Sequence, residues 1–164
     1  MKIIYHCYGG AHSSVVAAAL HLGQLPPDRM PGPEELVQLP FFDRQRGPEH
    51  GYLRLVGIDA GGNEVYIIGR RNNGRLLEKL YYHLLDLFSL PREELYLANM
   101  MPCVNWYMVV GGFLSRRLGL TWPGRTIVAR GAARAYFSIA TRVERIKVEL
   151  ITGRKREEKG GSRR

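Results

Sequence analysis

Nine consecutive residues bring a thiol, two imidazoles, two hydroxyls and a glycine pair into one stretch: His6-Cys7-Tyr8-Gly9-Gly10-Ala11-His12-Ser13-Ser14. A thiolate is a nucleophile, and an imidazole moves protons near neutral pH. Glycines let backbone N–H groups approach an anion, and hydroxyls add further donors. A loop of this composition that opens a helix also presents unpaired N–H groups at the positive end of the helix dipole, which suits phosphate, sulfate or carboxylate. The candidate anion-binding residues are therefore Gly9, Gly10, Ala11, His12, Ser13 and Ser14. Cys7, His6 and His12 are the candidate catalytic groups. The same residues also fit an ordinary tight turn with a serine cap. Cys7 equally fits a small buried hydrophobe closing a strand.

The motif narrows the choice of anion loop. A Walker A loop needs lysine directly before its serine or threonine, but Ser13 precedes Ser14. A dinucleotide fingerprint fails because no third glycine follows Gly9 and Gly10 at the required spacing. Cys7-x-x-Gly10-x-x-Ser13-Ser14 resembles the C-x-x-G-x-x-[ST]-S loop of the cysteine-phosphorylated IIB domains of sugar phosphotransferase systems. It also resembles the C-x5-R loop of cysteine phosphatases, with Ser13 where that family has arginine. Such loops place a thiolate at a strand end facing a helix start, where its pKa falls and it can attack phosphorus.

The flanking elements follow from composition and period. Lys2 to Cys7 is rich in β-branched and aromatic residues, which predicts a first strand. Ser13 or Ser14 then caps a helix that is apolar on nearly every side, and Gly23 ends it. Residues 24–51 hold six prolines and fit only a short helix near Pro33–Leu39, so the rest is expected to run over the surface. Ala60-Gly61-Gly62-Asn63 joins two strand-like runs as a hairpin. Leucines at helical spacing predict a helix over residues 75–89, with a strand over 95–100 and a helix from Trp106 to Leu118 around Gly111-Gly112. Thr126 to Arg130 reads as a further strand before Gly131 and a last helix, where the alternation at residues 146–150 also fits a strand. Strands alternating with helices around one hairpin predict a single α/β domain over residues 1–152, with a mostly parallel sheet.

Outside the loop, Arg130 is expected to help hold an anion, because it ends a predicted strand just before a helix. Arg116 is a second helper. Asp59 reads as a turn-shaping residue, Asp43 as half of a surface Asp-Arg pair or part of a lid, and Asn105 as an N-cap. His21, His50 and His83 show no metal-ligand spacing, and no metal or cofactor is named by the sequence.

The chain has 164 residues and a net charge of +9, with a pI near 9.9. Residues 1–82 carry only +1, whereas residues 153–164 alone carry +4 and no apolar side chain. That tail predicts a disordered basic terminus. The distribution favours an anionic small molecule over nucleic acid as partner, with a regulatory or nucleic-acid-binding module as the alternative reading. Two cysteines build no disulfide framework, and no run is apolar enough to span a membrane, so a cytoplasmic protein is expected. Oligomeric state is open.

Four segments carry a resemblance along most of the chain: IIYHCYGGAHSSVVAAALHLG, LPFFD, DAGGNEVYIIG and GGFLSRRLGL. From about Met1 to Glu149 the sequence resembles a bacterial family catalogued as domain of unknown function 3189. The resemblance implies an intracellular bacterial domain whose function involves the His-Cys-Tyr-Gly-Gly loop, and names no substrate.

Overall fold

A computed structural model describes residues 1–45 and 47–161, with side chains described as far as Thr152 apart from residues 46 and 47. Strands β1 (Lys2–Cys7), β2 (Arg54–Ile58), β3 (Glu64–Gly69) and β4 (Leu95–Asn99) form one sheet in the order β2-β3-β1-β4. β1 runs parallel to both of its neighbours, pairing Cys7 with Gly69 and His6 with Asn99. β2 is antiparallel to β3 across the predicted hairpin. Helices α1 (Ser13–His21), α2 (Pro33–Gln38), α3 (Gly74–Leu87), α4 (Trp106–Arg116) and α5 (Thr121–Gly161) complete a mostly parallel α/β domain.

Strand alternation divides the interior. Ile3, Tyr5 and Cys7 point into the main core with α1, α2, α4 and α5. Ile4, Ile68 and Leu95 point the other way, against Leu77, Tyr81 and Leu85 of α3. The all-apolar α1 is buried along its length, as its composition requires. It ends in a Schellman motif: Gly23 at φ +70° follows the cap, with Gln24 N–H donating to Ala19 O and Gly23 N–H to Leu20 O.

The predicted strand at residues 126–130 is not formed. Those residues lie inside α5, which runs from Thr121 through Gly124 and Gly131 without a break. The reason is packing against α4. A Cβ at Gly111 would come within 2.6 Å of Val128, and one at Gly131 within 2.8 Å of Tyr107. Gly124 lies equally close to Ser115. These glycines let two helices touch and are not helix ends, so the tertiary contact overrides the β-branched local preference. Residues 146–150 are helical too. The basic tail at 153–164 lies outside the described side chains, and residues 162–164 outside the described backbone. No described helix is long and apolar enough to cross a membrane.

Candidate functional site

β1 and β3 are adjacent and parallel, but the chain leaves them toward opposite faces, into α1 and α3. Their carboxyl ends form the kind of switch point at which α/β sheets bind ligands. Cys7 ends β1, and the ladder continues past it as Arg70 N–H donates to Cys7 O and Arg71 N–H to Tyr8 O. Gly10, at φ +68°, packs so tightly on the end of β3 that a Cβ would come within 2.6 Å of Gln45 Oε1 and 2.7 Å of Ile68 C. Only glycine fits there, because both the dihedral angle and the space forbid a side chain.

The sulfur of Cys7 sits under this turn and is 3% exposed. It accepts the Gly10 N–H at 3.2 Å and lies 3.3 Å from Ser14 Oγ. The sequence-predicted serine cap is displaced by one position: His12 is the N-cap, and its side chain does not cap the helix. Ser14 instead turns its hydroxyl to Cys7, and Ser13 is wholly buried with its hydroxyl unpartnered. The start of α1 thus has no capping side chain and no acidic residue in its first turn. Its first N–H groups are left without a side-chain cap.

His12 leads out of the loop into a charged cluster. Its Nε2 lies 3.0 Å from Asp43 Oδ1. Asp43 belongs to the proline-rich excursion, yet it is fully buried, and its N–H donates to Ala11 O. Ser115 Oγ donates to Oδ2 at 2.6 Å, Arg116 Nε to Oδ1 at 2.9 Å and Arg125 Nε to Oδ2 at 3.3 Å. Burial alone would raise the Asp43 carboxyl. The hydrogen bonds from His12 and Ser115, and then the charges of His12 and Arg116, bring it down to about 2. The expected surface Asp-Arg pair is therefore a buried carboxylate with two guanidinium partners. Gly112 makes room for it, since a Cβ there would come within 3.3 Å of His12 Cε1.

The structure gathers Cys7, Gly9, Gly10, Ala11, His12, Ser13, Ser14 and Arg116 at this end of the sheet. It does not gather His6 or Arg130. His6 faces the α3 side because adjacent strand residues point to opposite faces, so it cannot act alongside Cys7. Its Nδ1 accepts from Arg70 Nε at 2.9 Å. Burial, and then the charges of Arg70 and Arg142, hold its pKa down at about 4. Arg130 is exposed in mid-α5 and opens no turn, since the strand expected to end at it is helix. The arginine of α5 that does reach this end is Arg125, through its bond to Asp43. Its position within a presumed coil-to-strand boundary hid it from the sequence.

Two other placements stand out. Asp59 shapes the hairpin as expected, accepting from Gly61 N–H, Asn63 N–H and Asn63 Nδ2. It also bonds His21 Nε2 at 3.1 Å, and His21 Nδ1 lies 2.8 Å from the buried Tyr5 hydroxyl. That buried polar chain carried no spacing signal. Asn105 caps α4 by accepting from Met108 N–H.

A mostly parallel sheet whose first strand feeds a glycine loop into an uncapped helix defines an α/β domain with a topological switch point between β1 and β3. The chain belongs to the family described as a protein of unknown function (DUF3189), whose family model covers residues 2–148. No curated protein and no solved structure matches it.

Proposed function

We propose that the protein binds a phosphorylated or otherwise anionic small molecule at the Gly9–Ser14 loop, as a bacterial cytoplasmic protein. One observation carries this reading: the start of α1 is uncapped, and beside it the Ser13 hydroxyl is buried with no partner. A buried hydroxyl without a hydrogen bond is costly, and an anion at the helix start would satisfy it along with the N–H groups. Arg116 and Arg125 bring two positive charges to the same end, one of them offset by Asp43. They stand in for the arginine that the loop itself lacks.

Where the ligand is a phosphate ester, Cys7 is the available nucleophile. Attack by its thiolate forms an S–P bond as the ester P–O bond breaks, and the leaving oxygen takes a proton from His12. Water then cleaves the S–P bond, releasing phosphate and the thiolate. The Gly10 N–H points at this sulfur from 3.2 Å.

Thermal-shift measurements with phosphate, sugar phosphates and nucleotides test the reading. A ligand at 100 times its Kd adds about 2.7 kcal/mol of stability, a shift of several degrees. No shift with any anion overturns it. Full turnover by Cys7→Ser on a substrate found this way removes the covalent step.

A further inference from the structure

The Gly9–Ser14 loop uses one face of the sheet. On the other face, the ends of β3 and β4 and the start of α3 border an open cleft of about 580 Å³, whose lining includes Arg70, Gly74, Arg75, Glu78 and Asn99. Small-molecule sites commonly lie between roughly 300 and 1,000 Å³. α3 begins there with no capping side chain and no acidic residue in its first turn. Against that positive helix end lies the Arg70 guanidinium. A Cβ at Gly74 would come within 2.6 Å of its Cζ, so glycine is what admits the charge. Arg70 is held by His6 Nδ1 at 2.9 Å, Arg71 O at 3.0 Å and Asn99 Oδ1 at 3.3 Å. A fixed cation at the positive end of a helix, with Arg75 one residue inside, adds to the positive potential there and favours an anion.

His6 supplies the second, independent observation. It is wholly buried, and because Nδ1 accepts from Arg70, its proton sits on Nε2. That Nε2–H has no hydrogen-bond partner. It is aimed toward Glu78 Oε1 on the cleft wall, 3.8 Å away and too far for a hydrogen bond. An unmet donor buried behind the wall of a polar cleft marks that wall as incompletely satisfied within the chain.

We propose that this cleft binds the phosphate ester of a small polyhydroxy compound. The phosphate sits on the N–H groups of Gly74, Arg75 and Leu76 and on the Arg75 side chain. The hydroxyl groups meet Glu78, behind which the buried His6 Nε2–H lies 3.8 Å from Oε1. Among the described lining residues none is aromatic, so no surface stacks a nucleobase, whereas asparagine and glutamate suit hydroxyls. The site lies across the sheet from the start of α1, because α1 and α3 cover opposite faces, and the two loops meet only where the Arg70 and Arg71 N–H groups reach Cys7 O and Tyr8 O.

Backbone amide spectra of the full chain, titrated with glycerol 3-phosphate, inorganic phosphate and adenosine, test this. The amides of Gly74, Arg75 and Leu76 and the His6 ring N–H are expected to move saturably with glycerol 3-phosphate, and less tightly with phosphate. Adenosine is expected to leave them unmoved. Arg75 is exposed, so Arg75→Ala keeps the fold and should weaken glycerol 3-phosphate binding about tenfold. Unmoved Gly74–Leu76 amides, or unchanged affinity in Arg75→Ala, overturn the proposal. Equal affinity for phosphate and glycerol 3-phosphate overturns the polyol assignment. Shifts confined to Ser13 and Ser14 overturn this site while supporting the other loop.

Discussion

Asp43→Asn is the most informative single substitution, because it removes one charge and little volume at a fully buried position. The carboxyl has a pKa of about 2 in the folded protein, against an ordinary 3.8. Each unit of difference corresponds to about 1.4 kcal/mol, so ionised Asp43 contributes about 2 kcal/mol to stability near neutral pH. The substitution also leaves Arg116 and Arg125 without their carboxylate. Their side chains are 29% and 35% exposed, so water screens most of that loss. The expected loss at pH 7 is about 2–3 kcal/mol, or roughly 5–10 °C in Tm for a chain of this size. Because the folded pKa lies below the unfolded one, this stability is complete above pH 4 and fades as pH falls toward 2. By pH 3 about half of the difference between wild type and variant should be gone. Urea unfolding of both proteins at pH 7, 4 and 3 measures it. A difference below about 0.5 kcal/mol at pH 7, or one that does not shrink with acid, refutes the buried-carboxylate reasoning.

Other consequences are as direct. Gly10→Ala combines a left-handed φ with contacts against β3 and Gln45, and should cost more than about 2 kcal/mol in urea unfolding. Removing His21 as His21→Phe leaves the buried Tyr5 hydroxyl and Asp59 short of a partner, a loss of about 1–3 kcal/mol in the same assay. His6, with a folded pKa of about 4, should stay neutral in an NMR titration from pH 8 down to 5. The unfolded chain takes up that proton near pH 6.5, so burying neutral His6 lowers stability between pH 6.5 and 4 by about 3 kcal/mol. Substituting His6→Gln should flatten that segment of the stability–pH curve. Retarded migration of mixed DNA by a chain lacking residues 153–164 would move the basic half from solvated surface to nucleic-acid contact.

Much of this fold is legible because local and tertiary preferences agree. The β1 run, the glycine hairpin and the leucine periodicity of α3 each specify one element, and the structure forms all three. The failure at residues 126–130 marks where they disagree. Thr126-Ile127-Val128 favours a strand, but Gly111, Gly124 and Gly131 matter only once two helices meet, and no window of sequence shows that meeting. The site divides in the same way. Cys7 to Ser14 is contiguous and could be read directly. The His12–Asp43–Arg116–Arg125 cluster joins residues separated by up to 113 positions in the chain, and its bonds are visible only in three dimensions. His6 could have been assigned to the other face from strand period alone.

An anion at the uncapped start of α1 is the core of the proposed function. Titrating the full chain with inorganic phosphate while following backbone amides tests it most directly. The Ser13 and Ser14 N–H resonances are expected to move saturably, and more weakly in Arg116→Ala. If those two amides stay fixed while phosphate still raises Tm, the anion binds elsewhere and the account of this loop is wrong.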